Sequence, residues 1–134
     1  MKHYRLISLC LAVIFGLVGL IFLLYSGGVL IFFNNMALNL GMEQSPVQGV
    51  DFYLILAAGY MYLVSLLAYL MVKHPDNRYF PLLLTNAKLA SSSLSLGFFI
   101  LHQPYLIYLT NCLVDGAIGI LILVFYLKIK KQHP

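Results

Sequence analysis

A chain of 134 residues with 62% hydrophobic and only 9% charged side chains cannot cover itself with a water-facing surface, which excludes an ordinary soluble globule. Eight basic and four acidic residues leave a net charge of +4, but no basic face of the kind that binds nucleic acid. Lys2, Arg5, Lys73, Arg78, Lys128, Lys130 and Lys131 stand in the tails or in one loop, and Lys88 alone lies inside an apolar run. That distribution flanks membrane spans.

Met1 to Arg5 is a basic head, and an apolar run follows from Leu6 to Phe33. No small-x-small cleavage site follows it and it is too long for a secretory core, so it reads as a retained first span over 6–33. A helix of that length would reach about 42 Å against a hydrocarbon layer of about 30 Å, so it must tilt, project or break. Ser26-Gly27-Gly28 is the expected point of bending, because paired glycines weaken a helix. Ala12 and Gly16 form a small-xxx-small pair suited to close approach of another helix. Cys10 and Cys112 stand alone, without a partner motif, and read as small buried apolar residues.

Asn34 to Asp51 is the one long connection. A short interfacial helix is expected over 36–42, then a turn at Ser45-Pro46, with Asp51 as the cap of the next helix. Glu43 and Asp51 are too far apart to make a convincing cation site. The second span is expected over 52–72. Tyr62, Ser65 and Tyr69 recur there at helical spacing and should face other helices, since a buried hydroxyl needs a partner. They are also the expected contributors to a polar ligand wall.

Lys73 to Phe80 is a short charged loop, and Pro81 suits the first turn of a third span over 81–101. Only His102-Gln103 separates it from a fourth span over 104–127, with Pro104 expected in that helix's first turn. So tight a turn makes the two spans antiparallel neighbours. The expected architecture is all-α: a compact antiparallel bundle of four transmembrane helices forming a single domain. Basic residues in the head, the 73–78 loop and the tail place both termini on the cytoplasmic side. A bacterial or archaeal plasma membrane is the expected location, with an organelle membrane as the alternative. Tyr4, Tyr69, Tyr79 and Tyr126 then fall at one interface, and Tyr25, Tyr53, Tyr105 and Tyr108 at the other.

Lys88, Ser92 and Ser95 form one stripe on the third span, and Asn111, Asp115 and Gly119 form another on the fourth. Hairpin register puts Lys88 about one turn, roughly 5 Å, from Asp115, within reach of a lysine stem. Each charge alone would cost about 3 kcal/mol near mid-span, so an ion pair is expected, with Asn86, Ser92, Ser95 and Asn111 around it. No catalytic constellation accompanies it: the four histidines, His3, His74, His102 and His133, lie at ends or turns, with neither a metal-binding pair nor a nucleophile motif nor a phosphate loop. The reading is therefore of a non-enzymatic protein without cofactor or metal. Its expected partners are membrane lipids and other transmembrane subunits or further copies of itself, and its expected role is that of an accessory or structural subunit of a larger membrane complex. The alternative is small-molecule, lipid or ion binding and transport through the same seam, as a homo-oligomer.

Overall fold

A computed structural model describes residues 2–132, with the side chains of 51, 52 and 130–132 outside the description. The described residues form five helices and no strand: α1 (Lys2–Leu24), α2 (Ser26–Asn39), α3 (Asp51–Lys73), α4 (Tyr79–Leu101) and α5 (Leu106–Gln132). Three of them are long and apolar enough to cross a membrane: α1, α3 over Tyr53–Lys73 and α5 over Leu106–Ile129. α4 is as long as α1 and α3, but Asn86, Lys88 and four serines leave it short of that apolarity. Length and composition thus support three crossings where the sequence pattern suggests four.

The first apolar run is two helices. It breaks at Tyr25, whose backbone (φ −138°, ψ 41°) leaves the helical region one residue before Ser26-Gly27-Gly28. The Tyr25 ring folds across Gly28, where a Cβ would collide with it. An uninterrupted span over 6–33 is therefore replaced by α1 ending at Leu24 and a separate α2, which also absorbs most of the helix expected over 36–42.

α2 ends in a Schellman turn. Gly41 takes φ +66°, Met42 N–H donates to Ala37 O at 2.9 Å, and Gly41 N–H donates to Leu38 O at 3.2 Å. The connection that follows is fastened to α2 by one side chain. Asn34 Nδ2 donates to Ser45 O at 2.8 Å, while Asn34 Oδ1 accepts from Ser45 N–H at 2.8 Å and Ser45 Oγ at 3.0 Å. Gly49 (φ +75°) then turns the chain into α3. The capping role expected of the Asp51 side chain lies outside the described residues.

α4 opens on an Asx turn, Tyr79 N–H donating to Asn77 Oδ1 at 2.9 Å, with Pro81 inside its first turn. At the far end, residues 102–105 form the turn and Pro104 precedes α5. α5 in turn runs past the expected exit at Leu127 to Gln132.

The long helices alternate in direction and pack chiefly as two antiparallel pairs, α1 with α3 and α4 with α5. Glycines set the approach. A Cβ on Gly19 would lie 3.0 Å from Met61 Cβ, and Cβ atoms on Gly116 and Gly119 would lie 2.9 Å from Ser92 Oγ and 2.8 Å from Leu89 Cδ2. Between the pairs, Tyr4, Leu11, Phe15, Val64, Ala68, Met71, Leu84, Ile122 and Ile129 make one apolar core. That core fills the half of the bundle nearer the N-terminus of α1. Tyr4 belongs to it, buried and edge-on to Phe125 at 5.5 Å. Cys10, expected to be buried, is instead exposed on α1, and Cys112 is half-buried.

Asn34→Ala removes all three bonds that hold the 40–50 connection. Amide exchange across 42–48 is expected to quicken by about 5- to 30-fold, the effect of about 1–2 kcal/mol, with α3 to α5 unchanged; exchange mass spectrometry reads both.

Candidate functional site

The two polar stripes meet. Lys88 Nζ donates to Asp115 Oδ1 at 2.8 Å, with side-chain exposures of 0% and 3%. α4 supplies the lysine two residues from its midpoint, and α5 supplies the carboxylate one helical turn before Gly119. The pair is thus held at the edge of the apolar core, near the middle of both helices.

Two aromatic rings complete the surroundings of the ammonium. Lys88 Nζ stands 4.3 Å from the Phe15 ring centre and 5.1 Å from that of Tyr60. Both distances fit cation–π attraction, which strengthens where water is excluded. Tyr60 is itself fixed by donating its hydroxyl to Ala87 O at 3.0 Å, which ties α3 to α4 beside the lysine. The charge is therefore shared among α1, α3, α4 and α5. Neither Phe15 nor Tyr60 is marked in the sequence, because an aromatic residue in an apolar run looks the same whether it faces lipid or a cation.

The remaining seam residues divide. Asn111 Nδ2 donates to Ser95 Oγ at 2.7 Å and Ser91 Oγ at 3.0 Å, and Ser92 Oγ donates to Cys112 O at 2.8 Å. These are rungs between α4 and α5, lying alongside the pair without touching it. Asn86 is not among them: it is exposed and donates to Leu82 O of its own helix at 2.9 Å. Of the second-span trio, Ser65 bonds to another helix, donating to Ala12 O at 2.7 Å. Tyr62 is 70% exposed and Tyr69 44% exposed, so both correct the expectation that they face inward. Tyr69 instead lies beneath Lys73, 5.7 Å from its ammonium.

Two grooves open on the lateral surface. One, of about 420 Å³, runs along the seam and is lined by Tyr60, Ala90, Ser91, Ser95, Phe98 and Tyr108. The other, of about 690 Å³, lies between α1 and α3 over Ala12, Gly16, Gly19, Ala58 and Gly59, and is almost wholly apolar. No group of three His, Cys, Asp or Glu side chains that could hold a metal occurs among the described residues.

Chemically, the site is a neutralised charge pair in an aromatic and aliphatic shell. Removing one partner strands the other, a loss of about 3–5 kcal/mol for a buried pair, whereas removing both strands neither. No known protein family, curated protein or solved structure matches this chain, so its function is argued from its own residues.

Lys88→Met and Asp115→Leu are each expected to lower unfolding free energy in mixed micelles by about 3 kcal/mol, and the double substitution by clearly less than the sum. Additive losses would mean that the two groups do not pair.

Proposed function

We propose that this chain is a non-catalytic accessory or structural subunit of a larger membrane assembly. In this reading α1, α3, α4 and α5 each cross the bilayer, the termini lie on the cytoplasmic face, and a helix of another chain packs on α4. The observation that carries it is the outward face of α4. Asn86, Ala90 and Ser93 are exposed there and Gly97 has open space beyond its Cα, at spacing i, i+4, i+7 and i+11. Lipid chains gain nothing from such a surface. A neighbouring helix does, because small residues admit close backbone approach and Asn or Ser can bond across the contact.

Two further features support the same reading. α4 lacks the apolarity to cross alone, so its insertion depends on neighbours that cover its polar groups. The Lys88–Asp115 pair is closed within the chain, which leaves the surface stripe, and not the charges, for a partner.

A second reading draws on the groove beside the seam. Ser95 Oγ accepts from Asn111, which leaves its own O–H to meet a ligand entering past Phe98 and Tyr108. That arrangement supports small-molecule, lipid or ion binding, with further copies of the chain completing the enclosure.

Native mass spectrometry after mild extraction, with a photo-crosslinker attached at Ser93→Cys, separates the two. The subunit reading expects a different polypeptide at fixed stoichiometry, crosslinked through position 93 and lost in Ser93→Leu while thermal unfolding is preserved. A monomer or homo-oligomer that retains a small molecule, released by Ser95→Ala, would contradict it and favour the second reading.

A further inference from the structure

α3 and α4 pack less closely than either antiparallel pair, and the groove beside the seam lies on that flank, between Tyr60 of α3, one side of α4 and Tyr108 of α5. Along α4 it extends from Ala87 to Phe98, about 16 Å, and its volume of about 420 Å³ is that of a small-molecule pocket. At about 100° per residue this flank is about a third of a turn round α4 from the outward stripe of Asn86, Ala90 and Ser93. Apart from Ala90 at their shared edge, the two surfaces are distinct.

No charged side chain lines the groove, because Lys88 and Asp115 are paired with each other away from it. Its polar groups are hydroxyls. Ser95 Oγ accepts from Asn111 Nδ2 at 2.7 Å, and among the described residues no acceptor takes its own O–H. Ser91 Oγ accepts from the same nitrogen at 3.0 Å, so the two serine oxygens stand less than about 6 Å apart. Tyr60 Oη lies beside Ser91, with its own proton donated to Ala87 O. A serine that has already accepted turns its hydrogen to whatever acceptor enters. The rest of the lining is aromatic and aliphatic, with the rings of Phe98 and Tyr108 5.8 Å apart at one end and Tyr60 at the other. Such a lining suits an uncharged ligand that has a flat apolar body and an oxygen able to accept.

Depth narrows the class. With α4 across the bilayer, Ser91 and Ser95 lie about 2 and 8 Å along the axis from the helix midpoint at Ala90, well inside a hydrocarbon half-thickness of about 15 Å. The ester carbonyls and charged headgroups of phospholipids stand at the edge of that layer, and an acyl chain within it carries no acceptor. An uncharged ring bearing carbonyl oxygens dissolves at this depth and has acceptors without donors. We propose that the groove binds a lipid-soluble quinone. One carbonyl oxygen accepts from Ser95 and, within the same reach, from Ser91; the ring packs between Tyr60 and the Phe98–Tyr108 pair; and the tail leaves through the lateral opening into lipid. The proposal rests on the ligand-binding reading of this groove, which it makes specific, and requires no partner helix on α4.

The experiment is an NMR titration of the chain in lipid discs, following the resonances of Tyr60, Ser91, Ser95 and Tyr108. The probes are a fully methylated decylbenzoquinone and the decylbenzene of the same substitution pattern, which keeps ring and tail but lacks the carbonyls. Saturable shifts are expected with the quinone, with the decylbenzene binding about tenfold more weakly. Ser95→Ala should weaken the quinone by about 3- to 10-fold, the effect of one hydrogen bond, and leave the decylbenzene unchanged. Equal or tighter binding of the decylbenzene would overturn the quinone assignment while leaving the groove as a ligand site, and no saturable shift with either probe would overturn both. Because the two probes are compared on the unsubstituted chain, that result does not depend on how the variant folds. Quinone affinity unchanged in a Ser95→Ala chain of preserved Tm would also contradict the assignment.

Discussion

An ammonium group among leucines must be neutralised where it lies, and most of this bundle is arranged around meeting that demand for Lys88. A lone charge at mid-span costs about 3 kcal/mol on the insertion scale, comparable to fully burying one large apolar side chain. Asp115 cancels the charge at 2.8 Å, and the rings of Phe15 and Tyr60 take up the remaining faces. Because these four groups come from four helices, satisfying the charge also fixes which helices are neighbours. Leucine packing alone would tolerate many rotations of α4 and α5, whereas one ion pair tolerates few.

The pair in turn depends on how closely the backbones approach. Gly116 and Gly119 bring α5 against Ser92 and Leu89, and the short distance lets Ser92 reach Cys112 O and Asn111 reach Ser91 and Ser95. α1 and α3 use the same device in simpler form, with Ser65 on Ala12 O beside Gly16 and Gly19. Both pairs therefore combine small residues with hydroxyl-to-backbone bonds. What differs is the charge on α4, and α4 also carries, beside exposed Leu83, Leu94 and Leu96, an outward stripe of small and polar residues at Asn86, Ala90 and Ser93.

Much of this was legible from periodicity and turn chemistry. Long apolar runs bounded by charge locate the helices, and the spacing of Lys88, Ser92 and Ser95 against Asn111 and Asp115 locates the seam, because a tight turn fixes antiparallel register. The break at Tyr25 was legible as a place, in Ser26-Gly27-Gly28, but not as the start of a second helix, since apolarity continues unchanged across it. Other features depend on rotation about a helix axis, which composition cannot supply for a helix apolar all round. Tyr62 and Tyr69 share a spacing with Ser65 yet turn outward, Asn86 turns back on its own helix, and Phe15 and Tyr60 turn inward to the lysine. Asn34 with Ser45 was hidden for another reason, because a side chain that fastens a connection can lie at any separation from its partner.

An internally balanced pair fits the proposed subunit, whose contacts would be lateral, and would let α4 carry a lysine into the bilayer. That explanation requires α4 to cross, with the pair near mid-membrane. The most direct measurement is labelling by a membrane-impermeant maleimide in intact cells, using Gln103→Cys and His74→Cys in a background of Cys10→Ser and Cys112→Ala. If α4 crosses, Gln103→Cys reacts from outside and His74→Cys reacts only after permeabilisation. Reaction of both from the same side would place the two ends of α4 on one face and contradict the account.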